Sequence, residues 1–273
     1  MPYCSGTPQA THQSGDAGLI NGIVCEMVQE RPQLHNRAAF EEAIAHLHVS
    51  ERAADALRST PYVVLTGLAG GGRNTAIKDL QKYGYKFVVS DTTRPPKRRD
   101  GVLEQDGVSY NFRSEETMLA DIQQGEFIEA EIIHEQQVSG TSIRAIEHAA
   151  ATGLIPINEI EFGGVNNTVK AKPDTIVIAL LPPSYEEWLR RLQAREDMQP
   201  DELLDRLRTA KSVIDNIEKN PQFNIVINDD LESCVSAIRR IVEENEYSDQ
   251  DNVRGHDIAS ELQKHINDAL STH

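Results

Sequence analysis

The run Tyr62-Val63-Val64-Leu65-Thr66-Gly67-Leu68-Ala69-Gly70-Gly71-Gly72-Arg73-Asn74-Thr75 decides how the chain is read. Four strand-favouring residues, Tyr62 to Leu65, enter a glycine-rich turn, and a helix-like segment, Ala76 to Gln81, leaves it. Glycines let backbone N–H groups turn inward around phosphate oxygens, and the helix N-terminus adds positive potential. The usual form of such a loop is glycine, four residues, glycine, lysine, then serine or threonine. Arg73 stands in the lysine position and Asn74 in the hydroxyl position, with Thr75 one residue late, where it packs on or caps the helix. Arg73 keeps a permanent charge on a bulkier planar fork. Asn74 keeps an amide oxygen, an acceptable hard ligand for Mg²⁺. The alternative is a glycine turn that holds no ligand.

The chain of 273 residues has room for one large domain, or one domain with extensions. Its net charge of −16 argues against a general nucleic-acid surface. Basic residues nevertheless crowd two stretches, Arg94, Lys97, Arg98, Arg99 and Arg190, Arg191, Arg195, Arg206, Arg208. Local basic clusters on an acidic chain suit a small anionic substrate; a solvated helix or loop face is the alternative. Cys4, Cys25 and Cys234 are too scattered for a metal site or a disulfide framework and read as ordinary thiols. No apolar run reaches the ~18 residues of a membrane span, and no basic-then-apolar leader opens the chain, so the expected location is the cytoplasm.

Residues 1–35 read as an extension expected to be disordered, and 36–60 as a helical pair: Ala39, Phe40, Ala43, Ile44 and Leu47 recur at helical spacing before Ser50 opens a second segment. From 61 to 242 strand-like segments (62–65, 86–89, 127–133, 154–157, 175–180, 223–227) alternate with helix-like ones (75–82, 114–124, 142–152, 185–195, 200–219, 231–243). That alternation predicts an α/β fold with a parallel sheet flanked by helices, whose ligands lie at the carboxyl ends of the strands. Residues 243–273 read as an acidic linker to Gly255 and then a short amphipathic helix with Ile258, Leu262, Ile266 and Leu270, expected to dock on the domain or, alternatively, on a second copy.

Beyond the loop, Ser90-Asp91-Thr92-Thr93-Arg94-Pro95-Pro96, Gly107-Val108-Ser109-Tyr110-Asn111-Phe112, Gly125-Glu126-Phe127-Ile128-Glu129, Ser139-Gly140-Thr141-Ser142, Pro182-Pro183-Ser184 with Arg191, Arg195 and Arg206, and Ile227-Asn228-Asp229-Asp230-Leu231 follow in order. In this order and spacing the chain from Pro61 to Val242 resembles the guanylate kinases, which implies a P-loop kinase fold with GMP-binding and lid subdomains. The resemblance implies an ATP site of Gly67, Gly70, Gly71, Gly72, Arg73, Asn74, Thr75 and Asn228, with Asn74 as a Mg²⁺ ligand. It implies a GMP site of Ser90, Arg94, Lys97, Tyr110, Glu129, Thr141, Glu159 and Glu161, with Arg73, Arg191, Arg195 and Arg206 over the transferring phosphoryl group.

The chemistry is consistent with those roles. Guanine presents adjacent donors at N1 and N2, which one carboxylate, Glu129, can accept together. Arginine forks suit phosphate at Arg94. Three departures stand out: Lys97 in place of the family's second arginine, Ser139 in place of a phosphate-binding tyrosine, and Glu159-Ile160-Glu161-Phe162-Gly163-Gly164, where a glutamine has become Gly163. The expected activity is Mg-dependent transfer of the γ-phosphoryl group of ATP to GMP or dGMP. The alternatives are a non-catalytic binding module of the same fold and a kinase for another monophosphate. Expected partners are ATP and GMP or dGMP, with no nucleic acid or membrane; self-association would run through the C-terminal helix.

Overall fold

The computed structural model describes residues 34–99, 101–133, 135–194, 200–220, 223–247 and 249–271. In chain order the elements are α1 (Arg37–Ala45), α2 (Glu51–Arg58), β1 (Val63–Gly67), α3 (Arg73–Leu80), β2 (Tyr85–Phe87), β3 (Asp91–Thr92), β4 (Arg98–Arg99), β5 (Val102–Leu103), β6 (Asn111–Phe112), α4 (Glu115–Gln123), β7 (Phe127–Ile133), β8 (Gln137–Ser142), α5 (Ile143–Ala150), β9 (Ile155–Glu159), α6 (Phe162–Ala171), β10 (Ile176–Leu181), α7 (Tyr185–Gln193), α8 (Pro200–Lys219), β11 (Asn224–Ile227), α9 (Leu231–Arg239) and α10 (Asp249–Ser271).

A parallel sheet of order β11-β10-β1-β9-β2 carries the fold. Every residue of β1 is buried, because side chains alternate across a sheet covered on both faces. Val64, Val177, Ala179 and Leu181 share one core with Trp188, Leu207, Ile214, Leu262 and Ile266. Val63, Leu65, Ile178 and Leu180 share the other with Ala76, Ile77, Leu80, Val235 and Ile238. β1 lies centrally, beside β10 and β9, so the glycine loop opens at the carboxyl edge of the sheet where ligands of such folds sit.

Segment 127–133 departs from the expected parallel sheet. It pairs antiparallel with β8 in a second sheet of order β6-β3-β8-β7. The reading passed over β8 because Gln137-Val138-Ser139-Gly140-Thr141-Ser142 has one large apolar residue. One face of this sheet buries Phe127, Ala130 and Val138 against Phe40, Met118 and Ile122. Glu129, Glu131, Ser139 and Thr141 alternate with Ala130 and Val138, as the period of two requires, and a bulge between Phe127 and Glu129 keeps Phe127 on the packed face. On the packed side, fully buried Asp91 accepts from Ser142 Oγ at 2.7 Å and Arg113 Nη1 at 2.9 Å, which ties β3 to β8 and to the start of α4.

α6 was not expected, because Gly163, Gly164, Asn166 and Asn167 are poor helix formers. Burial of Phe162, Val165 and Thr168 overrides that propensity. The acidic linker ends sooner than expected, since α10 starts at Asp249 and runs through Gly255. Asp249 and Asp251 favour a helix N-terminus through the macrodipole. Gly255 sits where the helix touches β11, with a Cβ there only 2.7 Å from Ile225 Cβ. Ala259, Leu262 and Ile266 are fully buried in the chain's own core, so the apolar stripe of this helix is covered by its own domain. Leu262 and Ile266 each contribute roughly 1.5–3 kcal/mol by burial.

The expectation for residues 1–35 lies outside the described residues except at its end. There Leu34 is buried and the His35 N–H donates to Glu115, so these two residues pack on the domain. No described helix is long and apolar enough to cross a membrane.

Candidate active site

Ser50, Ser114, Ser142, Ser184 and Asp230 cap α2, α4, α5, α7 and α9, each accepting from a backbone N–H three residues on. α3 has Gly72 at that position and no side-chain cap. The first N–H groups of a helix have no intrahelical partner, so those of α3 are left for an anion. Two side chains brace the loop from behind. Trp188 Nε1 donates to Ala69 O at 2.8 Å, and buried Asn228 donates through Nδ2 to Gly71 O at 2.8 Å. Gly72 has φ +95°, and a Cβ there would overlap the Asn228 amide. Gly72→Ala is therefore expected to cost about 1–2 kcal/mol from the left-handed conformation alone, and to push Asn228 off the loop. Chemical denaturation beside ATP titration checks this: both stability and nucleotide affinity should fall.

Gly70, Gly72, Thr75, Arg191 and Asn228 line one hollow of about 390 Å³, with Arg190, Asp229 and Leu231. Arg191 is held by Glu187 at 2.6 Å and reaches the Asp229 carbonyl at 3.4 Å. The same arginine and Arg190 hold the Glu187 carboxyl well below its usual range, at about 2. Arg206 pairs with Glu202 on its own helix at 3.3 Å and lines neither this hollow nor its neighbour. Arg195 lies outside the described residues.

The neighbouring hollow, about 380 Å³, gathers Asn74, Ser90, Tyr110 and Glu159. Lys78, Glu104 and Asn158, which the sequence reading did not select, line it too. Arg94 is buried. Its fork engages Glu104 at 2.5 and 2.9 Å, and its guanidinium lies 4.7 Å from the centre of the Tyr110 ring. A charged pair this enclosed holds when its hydrogen bonds are satisfied, and Glu104 Oε2 also accepts from the Lys97 N–H at 2.9 Å. Only the backbone of Lys97 takes part in that contact, and its side chain is exposed. Glu104 is detectable in the sequence as the one acid between Pro96 and Gln105 other than Asp100, in a stretch otherwise rich in cations.

Deeper in, Thr141 is fully buried and Glu129 is 6% exposed. Burial pushes the Glu129 carboxyl up to about 7, with Thr141 partly offsetting the shift. Asn158 Nδ2 lies 2.9 Å from Thr141 Oγ1 and 3.4 Å from Ser90 Oγ, so one strand residue links both ends of the pocket. Glu131 shares the face of Glu129, and its carboxyl is raised by burial and by nearby Glu161. The glycines of the altered segment now have a reason. A Cβ on Gly163 would overlap the Glu131 carboxylate, and one on Gly164 would lie 2.7 Å from Glu129 Oε2. Ser139 turns to Thr92 Oγ1 at 2.8 Å.

Two contacts join the end of the glycine loop to the end of β9 and the segment that follows it. Arg73 Nη2 donates to Glu161 Oε1 at 2.9 Å, and Asn74 Nδ2 to Glu159 Oε1 at 3.4 Å. Arg73 Nη1 and Glu159 Oε2 are buried without a hydrogen-bond partner. Such groups are costly unless something satisfies them. The arrangement offers an anion cradle with a cation on one side, and a polar pocket with a buried carboxylate on the other.

The family model for guanylate kinase matches residues 59–245. A guanylate kinase of Corynebacterium diphtheriae is 35% identical over 184 residues, which cover 66% of this chain and 93% of that protein. The pig enzyme is 34% identical over 187 residues, 67% of this chain and 91% of its own. Guanylate kinase 1 of rice is 33% identical over 184 residues, and there the chain spans about half of the relative, 47%. Among solved structures, the crystal structure of guanylate kinase from Anaplasma phagocytophilum aligns with a TM-score of 0.50 at 23% identity, over 70% of this chain and 87% of that one, a likeness of fold.

Proposed function

The chain belongs to the guanylate kinase family, and on that premise we propose that it transfers the γ-phosphoryl group of Mg·ATP to GMP or dGMP. A phosphate oxygen of the monophosphate attacks the γ-phosphorus, the bond to the β,γ-bridging oxygen breaks, and ADP leaves. Such transfer requires positioning and charge rather than a side-chain nucleophile. The observation that carries the reading is the contact between the end of the glycine loop and the acidic segment at the end of β9: Arg73 and Asn74 touch Glu161 and Glu159, and Asn74 and Glu159 both line the second hollow. The ATP phosphates take the N–H groups of the loop and of the start of α3, with Arg73 beside them. The monophosphate takes Ser90 and Tyr110, its guanine reaches Glu129 and Thr141, and Arg191 stands at the loop's outer side.

The residues present fit Mg²⁺. Glu159 has a buried oxygen without a partner, and Asn74 supplies an amide oxygen, both hard donors of the kind the ion takes beside substrate phosphates. When bound, the ion would offset charge on the β- and γ-phosphate oxygens.

A second reading has an observation in its favour. Arg73 and Arg94 are both engaged by carboxylates of the chain, as a non-catalytic binding module of this fold would tolerate. The test is ADP release from Mg·ATP with a panel of monophosphates. Turnover with GMP and dGMP is the expected result. Turnover with a different monophosphate alone would reassign the substrate. No turnover, with no ATP binding by the folded protein, would leave the module.

A further inference from the structure

We propose that Lys78 binds the phosphate of the acceptor nucleotide, a role that rests on the monophosphate-kinase reading above. Lys78 and Asn74 lie four residues apart on α3, so they share one face of the helix, and both line the acceptor hollow with Ser90 and Tyr110. Lys78 is exposed and makes no ion pair or hydrogen bond among the described residues. The other charges of that hollow are unfavourable for an anion. Glu159 is acidic, and Glu104 and the arginine behind the wall, Arg94, cancel each other in a buried pair. Without Lys78 the walls present surplus negative charge to a dianion. With it, the hollow has an exposed ammonium in company with two hydroxyl donors, Ser90 and Tyr110. Three rotatable donors on a flexible stem suit a phosphate held by the hydroxyls of the same hollow. Lys97, the cation expected there from sequence, offers only its backbone to Glu104. Ser139 is engaged with Thr92. Lys78 thus supplies charge where those two positions do not.

The experiment is calorimetric titration of the full chain with GMP and with guanosine, for the wild type, Lys78→Met and Lys78→Arg. Removing a charge-assisted hydrogen bond to phosphate is expected to weaken GMP by about ten- to a hundredfold. Guanosine lacks the phosphate and should change by less than about twofold, as expected of an exposed charge it does not meet. Lys78→Arg should recover most of the GMP affinity, and all three proteins should share one thermal midpoint. Equal GMP affinity in the wild type and Lys78→Met, or parallel loss of GMP and guanosine, would overturn the assignment alone. A wild type that binds ATP but neither GMP nor guanosine would instead remove the reading of the hollow, and the role of Lys78 with it.

Discussion

Arg73→Ala should lower kcat by about a hundred- to a thousandfold, the usual loss when one preorganised donor to a developing charge is removed. The side chain is 11% exposed, and one of its nitrogens is buried with no partner, so its position is fixed before any nucleotide arrives. Through Nη2 it makes one contact, to Glu161, and no two-pronged bond. A compact ammonium can replace a single contact, so Arg73→Lys should stay within about tenfold of wild type. GMP affinity should be the same in all three proteins, because Glu129, Thr141 and Ser90 do not touch Arg73. Initial rates at saturating GMP with varied ATP check the first two expectations, and GMP titration checks the third. Full activity in Arg73→Ala would mean that this residue closes the loop and does nothing to the phosphates.

The second large effect is expected at Glu129, where stability and binding should move in opposite directions. Burial raises its carboxyl to about 7, above the value it takes in an unfolded chain. For an acid raised in this way, the folded state holds the proton more tightly. The penalty of burying the charge is absent below pH ~4, grows as pH rises, and is complete above pH ~7. Glu129→Gln removes that penalty and should stabilise the nucleotide-free protein at pH 8 by up to about 3 kcal/mol. At pH 4 the two proteins should be equally stable.

Binding has the opposite sign. Guanine N1 and N2 both donate, and a glutamine amide offers one acceptor and one opposing donor, so GMP affinity should fall at least about a hundredfold. The same carboxyl makes wild-type GMP affinity pH-dependent. Affinity should weaken as pH falls below 7, where a proton competes with the base, and the variant should lose this slope. Denaturation curves at pH 4 and 8, with GMP titrations at pH 6 and 8, read all of this. A variant that is less stable at pH 8, or that keeps wild-type affinity, would show that Glu129 does not face the base.

Much of the nucleotide-binding framework was legible because its signals are local. A strand, a glycine turn and a helix follow one another within the twenty residues from Tyr62 to Gln81, and β1 and α3 formed there. The alternation of apolar runs gave the parallel sheet for the same reason. What escaped the reading depends on partners distant in sequence. β8 has little apolar character of its own and is a strand because β7 and β3 pair with it. α6 is helical against its propensity because Phe162 and Val165 are buried. Glu104, Asn158, Trp188 and Lys78 resemble ordinary polar or core residues until Arg94, Thr141, Ala69 and the acceptor hollow are placed beside them. Gly163 stood out in the sequence only as a departure from the family pattern, whereas the space it leaves is filled by Glu131.

The central claim is that the altered loop and the acceptor hollow work as one site. The most direct measurement is a single turnover with γ-labelled Mg·ATP and GMP, with the products separated. The account predicts that the label appears in the β-phosphate of GDP and that unlabelled ADP forms in equal amount. Label that stays in ATP, or passes only to inorganic phosphate, would contradict it.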